Sequence, residues 1–357
     1  MSDKPDRLAA LVTLLRDSPG IAHKRDIAQV VGALGAGSAT NGAKPNAADA
    51  AGAATALNVA RGGAWAAPVG DDCAAIPDGD GYLLLAIEGF VNEFVAKEPW
   101  FAGYCGVMVN VSDIYAMGGR PLAIVDALWS RGGDAAQPLL EGLAAASAVY
   151  QVPIVGGHSN RRSDREQLSV AITGRAKKLL TSFDAKPGEN LVVACDLRGR
   201  YMEPYDYWNA SLDAPPERLR ADLELLPAIA EDGLCAAAKD ISMAGVVGTA
   251  LMLLECSGVG AEIDLAAIPR PPGIALERWL LTFPSYGFIM SVADADLDVV
   301  TQRFARRELA CGVIGRTDAS RKVHLRHGAD QGREQLWDFA EEALIGCAPS
   351  KQEAHHA

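Results

Sequence analysis

The sequence predicts a two-domain α/β protein of the α+β type, and three observations carry that expectation. At 357 residues the chain exceeds what one hydrophobic core usually spans. From residue 73 its apolar runs follow a β-β-α-β-α-β-β order, which describes an α/β domain with a mixed sheet. A turn-forming stretch, Ala185-Lys186-Pro187-Gly188-Glu189, then interrupts the pattern before it resumes. The expected organisation is N-terminal helices and an Ala/Gly-rich segment over 1–66, domains over 67–183 and 184–347, and a frayed polar tail over 348–357.

Residues 5–32 carry leucines at helical spacing with a break at Ser18-Pro19-Gly20, so one or two short helices are expected. Residues 32–63 are rich in Ala, Gly and Asn; the first half has too little apolar bulk to pack, and the second half suits an alanine-rich helix. Cys73–Ile76 and Tyr82–Ile87 flank Pro77-Asp78-Gly79-Asp80-Gly81, a hairpin signal. A helix near 100–118, a strand at Leu122–Leu128, a helix at 135–150 and strands at Val152–Val155 and Leu168–Gly174 follow. The second domain opens with a strand at Leu191–Cys195 and an aromatic loop, Tyr201–Trp208. Helices near 215–238 and 242–257 come next, then strands at Ala261–Leu265, Gly287–Val292 and Gly312–Ile314.

Hydrophobic residues make up 49% and charged residues 22%, the balance of a globular protein with a sizeable core. A formal net charge of −12 repels nucleic acid and anionic membrane surfaces. The seven cysteines are spread singly, without a C-x-x-C pair, as expected of reduced thiols in a cytoplasmic protein. The N-terminus is amphipathic and interrupted by charges, so neither a signal peptide nor a membrane span is expected.

Four segments hold candidate chemistry. In Trp100–Pro121, read as a helix, Gly103, Gly106, Asn110 and Asp113 fall along one face. That face suits close approach by a phosphate or hydrated metal; a glycine-mediated helix contact with a polar rim explains it too. In Gly70-Asp71-Asp72-Cys73 two adjacent acids enter a strand with their side chains on opposite faces, so one can enter a site while the other braces the turn. Glu88 ends the apolar run YLLLAIE. Asp240 precedes an apolar helix, either as its N-cap or as a carboxylate holding a cation beside the helix amides. Gly156-Gly157-His158-Ser159 joins a strand to a basic loop, Arg161-Arg162-Ser163-Asp164-Arg165, where free backbone and polar groups suit an anion.

Taken in order, GDDCAAI, NVSDIYAMGGRP, VGGHS and KDIS resemble the AIR-synthase-like (PurM-like) superfamily over roughly residues 68–315. SGVGAEIDLAAIP also looks like the C-terminal domain of its thiamine-monophosphate kinase branch. The resemblance implies an N-terminal domain that pairs with its twin into a shared barrel in a homodimer, followed by a C-terminal α/β domain. It implies ATP held through several Mg²⁺ ions. By matching motifs, Asp72, Asp113 and Asp240 look like metal-binding carboxylates with Asp71 adjacent, and Asp72 and Asp113 would carry catalysis. Asn110 matches a position near the phosphates, and Gly156, Gly157, His158 and Ser159 match a loop beside the nucleotide. Glu88 falls where relatives carry an Asp.

The departures narrow the chemistry. No cysteine precedes Cys73, where selenophosphate synthetases place a reactive Cys or selenocysteine. Thiamine-monophosphate kinases usually carry further acids where this chain has His158, Met243 and Ser285. The expectation is therefore ATP- and Mg²⁺-dependent phosphoryl transfer to an oxygen of a small metabolite, by a kinase or an ATP-driven synthetase. Two alternatives stand beside it, a nucleotide-binding scaffold without turnover and a thiamine-monophosphate-kinase-like enzyme. No nucleic-acid or membrane partner is expected.

Overall fold

The computed structural model describes residues 3–36, 67–328 and 332–349. Most of the Ala/Gly-rich stretch over 32–63 and of the 348–357 tail lies outside them, with the helix expected there. Helices α1 (Asp3–Arg16) and α2 (Pro19–Ala36) open the chain and part at the expected break. Proline starts α2, where its missing N–H has no intrahelical partner to lose. The chain forms two compact units.

The first unit takes Asp72–Leu179 together with Asp213–Glu231. Strands β1 (Ala74–Asp78) and β2 (Gly81–Gly89) pair antiparallel across Gly79-Asp80. Pro77 stands within β1 rather than in the turn; β1 is an edge strand, where a missing donor is tolerated. A short α3 (Asn92–Lys97) precedes α4 (Pro99–Ala116) and β3 (Arg120–Trp129); α5 (Gly133–Tyr150), β4 (Ile154–Asn160) and β5 (Gln167–Ala176) follow. The sheet order is β1-β2-β5-β3-β4, antiparallel except for β3 and β4. That parallel pair requires a crossover, which α5 supplies.

The buried sheet face presents Leu84, Ile124, Leu128, Leu168, Val170 and Ile172, against which α4 sets Val107, Val111 and Ile114. Glycines admit the close contacts. A side chain at Gly103 would strike Leu139 and Leu143 of α5, and one at Gly142 would strike Trp100 and Tyr104 of α4. A side chain at Gly106 would meet Val170 and Leu168 of β5. The two glycines of the candidate face therefore serve helix and sheet packing.

Helices α6 (Pro216–Leu223) and α7 (Leu225–Glu231), expected from the sequence in the second domain, belong to this unit. Arg120 at the start of β3 pairs with both Glu224 and Glu231, and Arg220 donates to the carbonyl of Val149 at 2.5 Å.

The second unit is built on a seven-stranded sheet of order β15-β14-β10-β13-β6-β12-β9. Its strands are β6 (Asn190–Cys195), β9 (Ala237–Asp240), β10 (Gly260–Asp264), β12 (Gly287–Val292), β13 (Ala310–Asp318), β14 (Lys322–Arg326) and β15 (Glu334–Asp338). Strands β7 (Arg200–Tyr201), β8 (Tyr207–Asn209) and β11 (Phe283–Pro284) make a small second sheet. Helix α8 (Gly245–Ser257) is buried along almost its whole length; α9 (Leu276–Leu280) and α10 (Leu297–Ala305) are shorter. Ala237–Asp240 had been expected within or just after a helix. Alanines favour helix locally, but pairing with β12 decides the matter.

Helices α1 and α2 pack on this second unit. Leu8, Leu11, Leu15 and Ile21 join its core, and Arg16 donates to the carbonyl of Leu336 at 2.7 Å. Arg16 and Arg25 both pair with Glu342 and lie over the Trp337 ring. No helix among the described residues is long and apolar enough to cross a membrane.

Candidate functional site

Asp72 stands two residues before β1, and Asp113 lies near the C-terminal end of α4, where it is largely buried. Though 41 positions apart by their numbers, they offer carboxylate oxygens within 4.8 Å of one another. Two like charges at that spacing repel by on the order of 3 kcal/mol at an effective dielectric near 20. A cation between them converts that cost into attraction.

Asn110 sits one turn before Asp113 and is wholly buried. Its Nδ2 donates to the carbonyl of Gly106 at 2.8 Å, which leaves Oδ1 pointing elsewhere with no hydrogen-bond partner among the described residues. An orphaned buried oxygen costs about 1–3 kcal/mol. The two carboxylates are oxygen donors, the kind that hard Mg²⁺ prefers. The residues present fit that ion.

Asp71 departs from expectation. Its carboxylate accepts from Ser182 twice, from the backbone N–H at 2.9 Å and from Oγ–H at 2.7 Å. The sequence reading placed it among the metal ligands; the structure uses it to brace the turn. The chain turns at Gly70, whose φ is +120°, and enters β1 only at Ala74, so the two acids leave the turn in different surroundings.

Asp240 closes β9 and is largely buried. It is not the helix N-cap, because α8 begins five residues later at Gly245, after a turn in which Ser242 N–H donates to Thr249 Oγ1 at 3.1 Å. The capping account of Asp240 thereby falls away. Glu88 occupies the penultimate position of β2 with an exposed side chain.

Gly156, Gly157, His158 and Ser159 form β4 itself rather than a loop, because they pair in parallel with Val125–Leu128 of β3. The strand is at the sheet edge and is exposed from Val155 to Asn160. Gly157 cannot carry a side chain, since a Cβ there would lie 2.7 Å from the Asp126 carbonyl and 2.8 Å from its carboxylate.

Asp126 is a residue that the sequence reading passed over. It alternates with Ile124 and Leu128 along β3, and burial holds its carboxyl above the usual range. A lone acid at an inward position of an apolar strand was the available signal.

The aromatic segment over 201–208 is packed. The Tyr201 hydroxyl pairs with Thr282 Oγ1 at 2.8 Å, and Trp208 Nε1 donates to the Asp196 carbonyl at 3.1 Å. Arg278 stacks 3.6 Å from the Tyr201 ring centroid and binds Glu203 and Asp206. A cavity of about 450 Å³ in the first unit, lined by Tyr115, Arg120, Tyr150 and Arg220 among others, contains none of the candidate residues.

Residues 70–176 match the AIR synthase related protein N-terminal domain, and residues 208–328 match the C-terminal domain of the same family. The chain belongs to the AIR synthase related family. It is similar to Uncharacterized protein sll0787 of Synechocystis, at 48% identity over 78% of this chain and 86% of the relative. It is also similar to thiamine-monophosphate kinase of Pyrococcus abyssi, at 34% identity over 42% of this chain and 49% of the kinase. Among solved structures, Thermotoga maritima PurL complexed with ATP superposes with a TM-score of 0.63 at 20% identity, over 78% of this chain and 46% of PurL. That likeness shows the shared fold. The chain spans about half the length of that PurL.

Proposed function

We propose that this member of the AIR synthase related family is an ATP- and Mg²⁺-dependent enzyme that transfers a phosphoryl group to an oxygen of a small metabolite. The observation that carries the reading is the Asp72–Asp113 pair, with carboxylate oxygens within 4.8 Å; Asn110, one turn earlier on α4, adds a buried Oδ1 with no hydrogen-bond partner among the described residues. Asp240 is proposed as the third carboxylate of the set. The PurL relative complexed with ATP and the thiamine-monophosphate kinase support nucleotide chemistry in the family.

Bound Mg²⁺ supplies charge neutralisation for a polyphosphate. The protein's part is positional. Asp113 is fixed on a helix buried on several sides, and Asp72 on a turn tied by its neighbour, so the carboxylates need little reorganisation when a ligand arrives. Asn110 adds an acceptor already stripped of water. Gly156 and Gly157 leave the β4 backbone open to an incoming group, with His158 and Ser159 exposed beside it. Catalysis of this kind rests on orientation and electrostatics rather than on a covalent intermediate.

The test is phosphate release from Mg-ATP across a panel of candidate acceptors, comparing the wild type with Asp113→Asn. Turnover reduced by at least 100-fold is expected. Turnover that survives the substitution unchanged overturns the assignment, and ATP binding with no turnover on any acceptor favours a scaffold.

The proposed assembly is a homodimer. On the outer face of the five-stranded sheet, Ile87, Ala171 and Val125 lie in one cross-strand row, and Leu85, Thr173 and Ala123 in the next. Ile87 is 69% exposed and Val155 65%, with Leu85 and Val125 also open. An apolar sheet face of this kind calls for a cover, and a second copy of the chain provides one with matching strands.

A further inference from the structure

We infer that Asp72 is set in place by a clamp on the preceding turn, with Ser182 as its positioning residue and the C-terminal segment 344–347 as its second jaw. The inference rests on the proposed role of Asp72 as a cation ligand.

The turn at Gly70-Asp71 is held from two sides. On one side Ser182 gives both its backbone N–H and its hydroxyl to the Asp71 carboxylate, at 2.9 and 2.7 Å. On the other, Cys347 packs against Gly70, whose φ of +120° is open to glycine but strained for other residues. A Cβ on Gly70 would lie 2.5 Å from the Cys347 sulfur, so there is no space for one.

Both jaws are anchored on the last turn of α8. Ser257 Oγ donates to the Ser182 carbonyl at 2.8 Å and accepts from the Ala185 N–H at 3.0 Å. Glu255, almost fully buried, accepts the backbone N–H groups of Leu344, Ile345 and Gly346 at 3.0, 2.7 and 3.2 Å. Three donors converging on one carboxylate fix the backbone of the C-terminal segment and so the position of Cys347.

This arrangement is more than a turn requires. A polar turn ahead of a strand folds without a buried glutamate and two serines recruited from distant positions. What the bonds achieve is to remove freedom from the peptide that leads into Asp72. Partners that orient a ligand typically change metal affinity by about 10–100-fold when removed.

The experiment measures Mn²⁺ binding by the loss of its free paramagnetic resonance signal, together with hydrogen exchange over 68–76, in the full chain. Ser182→Ala is expected to weaken Mn²⁺ about 10-fold and to speed exchange at 70–73. Ser182→Thr, which keeps the hydroxyl, should stay within about 2-fold of the wild type. Glu255→Gln serves as the second variant, acting on the other jaw, and should also weaken Mn²⁺. Wild-type Mn²⁺ affinity in Ser182→Ala overturns the clamp while leaving Asp72 as a ligand. A wild type that binds no Mn²⁺ overturns the ligand role of Asp72 and the clamp's purpose with it.

Discussion

At the scale of single residues, Asp71 and Asp72 show how neighbours in sequence divide labour. Identical side chains receive different parts: Ser182 takes up the Asp71 carboxylate at the turn, and Asp72, one residue on, is proposed as a cation ligand. Asp72→Asn should therefore abolish Mn²⁺ binding. Asp71→Asn should weaken it only partly and lower the melting temperature, because it disturbs a bond pair inside the second unit. Calorimetry beside metal titration separates the two. Asn110→Ala removes an amide whose oxygen has no partner among the described residues. Stability should change little from that loss, while affinity for Mg-ATP, measured by isothermal titration, should fall about 10-fold. A pH effect follows at Asp294. Arg316 and Asn190 hold its carboxyl down to about 2, below the ordinary 3.8. Its contribution to stability is thus fully present above about pH 4 and is lost as the pH falls through about 2. Carbon-detected titration of the Asp294 carboxyl should show that midpoint, and Arg316→Ala should raise it.

At the scale of elements, the α4–α5 pair has the least tolerance for change. Gly103 and Gly142 let the two helix backbones touch, and a methyl on either strikes main-chain atoms that cannot move aside cheaply. Gly142→Ala should destabilise the protein by about 1–3 kcal/mol in denaturant unfolding, and through α4 it should also weaken cation binding by displacing Asp113. The glycines on this helix were visible in the sequence, and a packing role was one of the two explanations open to them. Deciding between the two required the partner, because a glycine that faces a ligand and one that faces a helix have the same neighbours in sequence. The same holds for β4. Gly156-Gly157-His158-Ser159 carries the composition of a loop, yet main-chain pairing with β3 extends the strand through it.

At the scale of the molecule, chain order and packing order part company. The opening helices α1 and α2 complete the core of the second unit, and α6 and α7, from the second half of the chain, complete the first. Deleting residues 1–36 should uncover the apolar surface that Leu15 and Ile21 fill and lower the melting temperature by several degrees, with aggregation on heating. The exposed sheet face makes a separate expectation. Ile87→Glu should shift a dimer to monomer in sedimentation velocity without loss of secondary structure, and a wild type that sediments as a monomer would count against the homodimer.

The sequence by itself determined the family and the mixed-sheet architecture of the first unit, because sequence motifs and apolar periodicity are local properties that survive without coordinates. It also carried the departures at His158, Met243 and Ser285, which are matters of residue type alone. Only the tertiary structure decided that Asp71 braces the turn, that Gly103 and Gly106 pack, and that Asp126 lies beside Gly157. It likewise assigned 216–231 to the first unit and 237–240 to a strand. Each of these depends on a partner distant in the chain, and local propensity cannot say which distant group will take up a hydrogen bond or fill a gap.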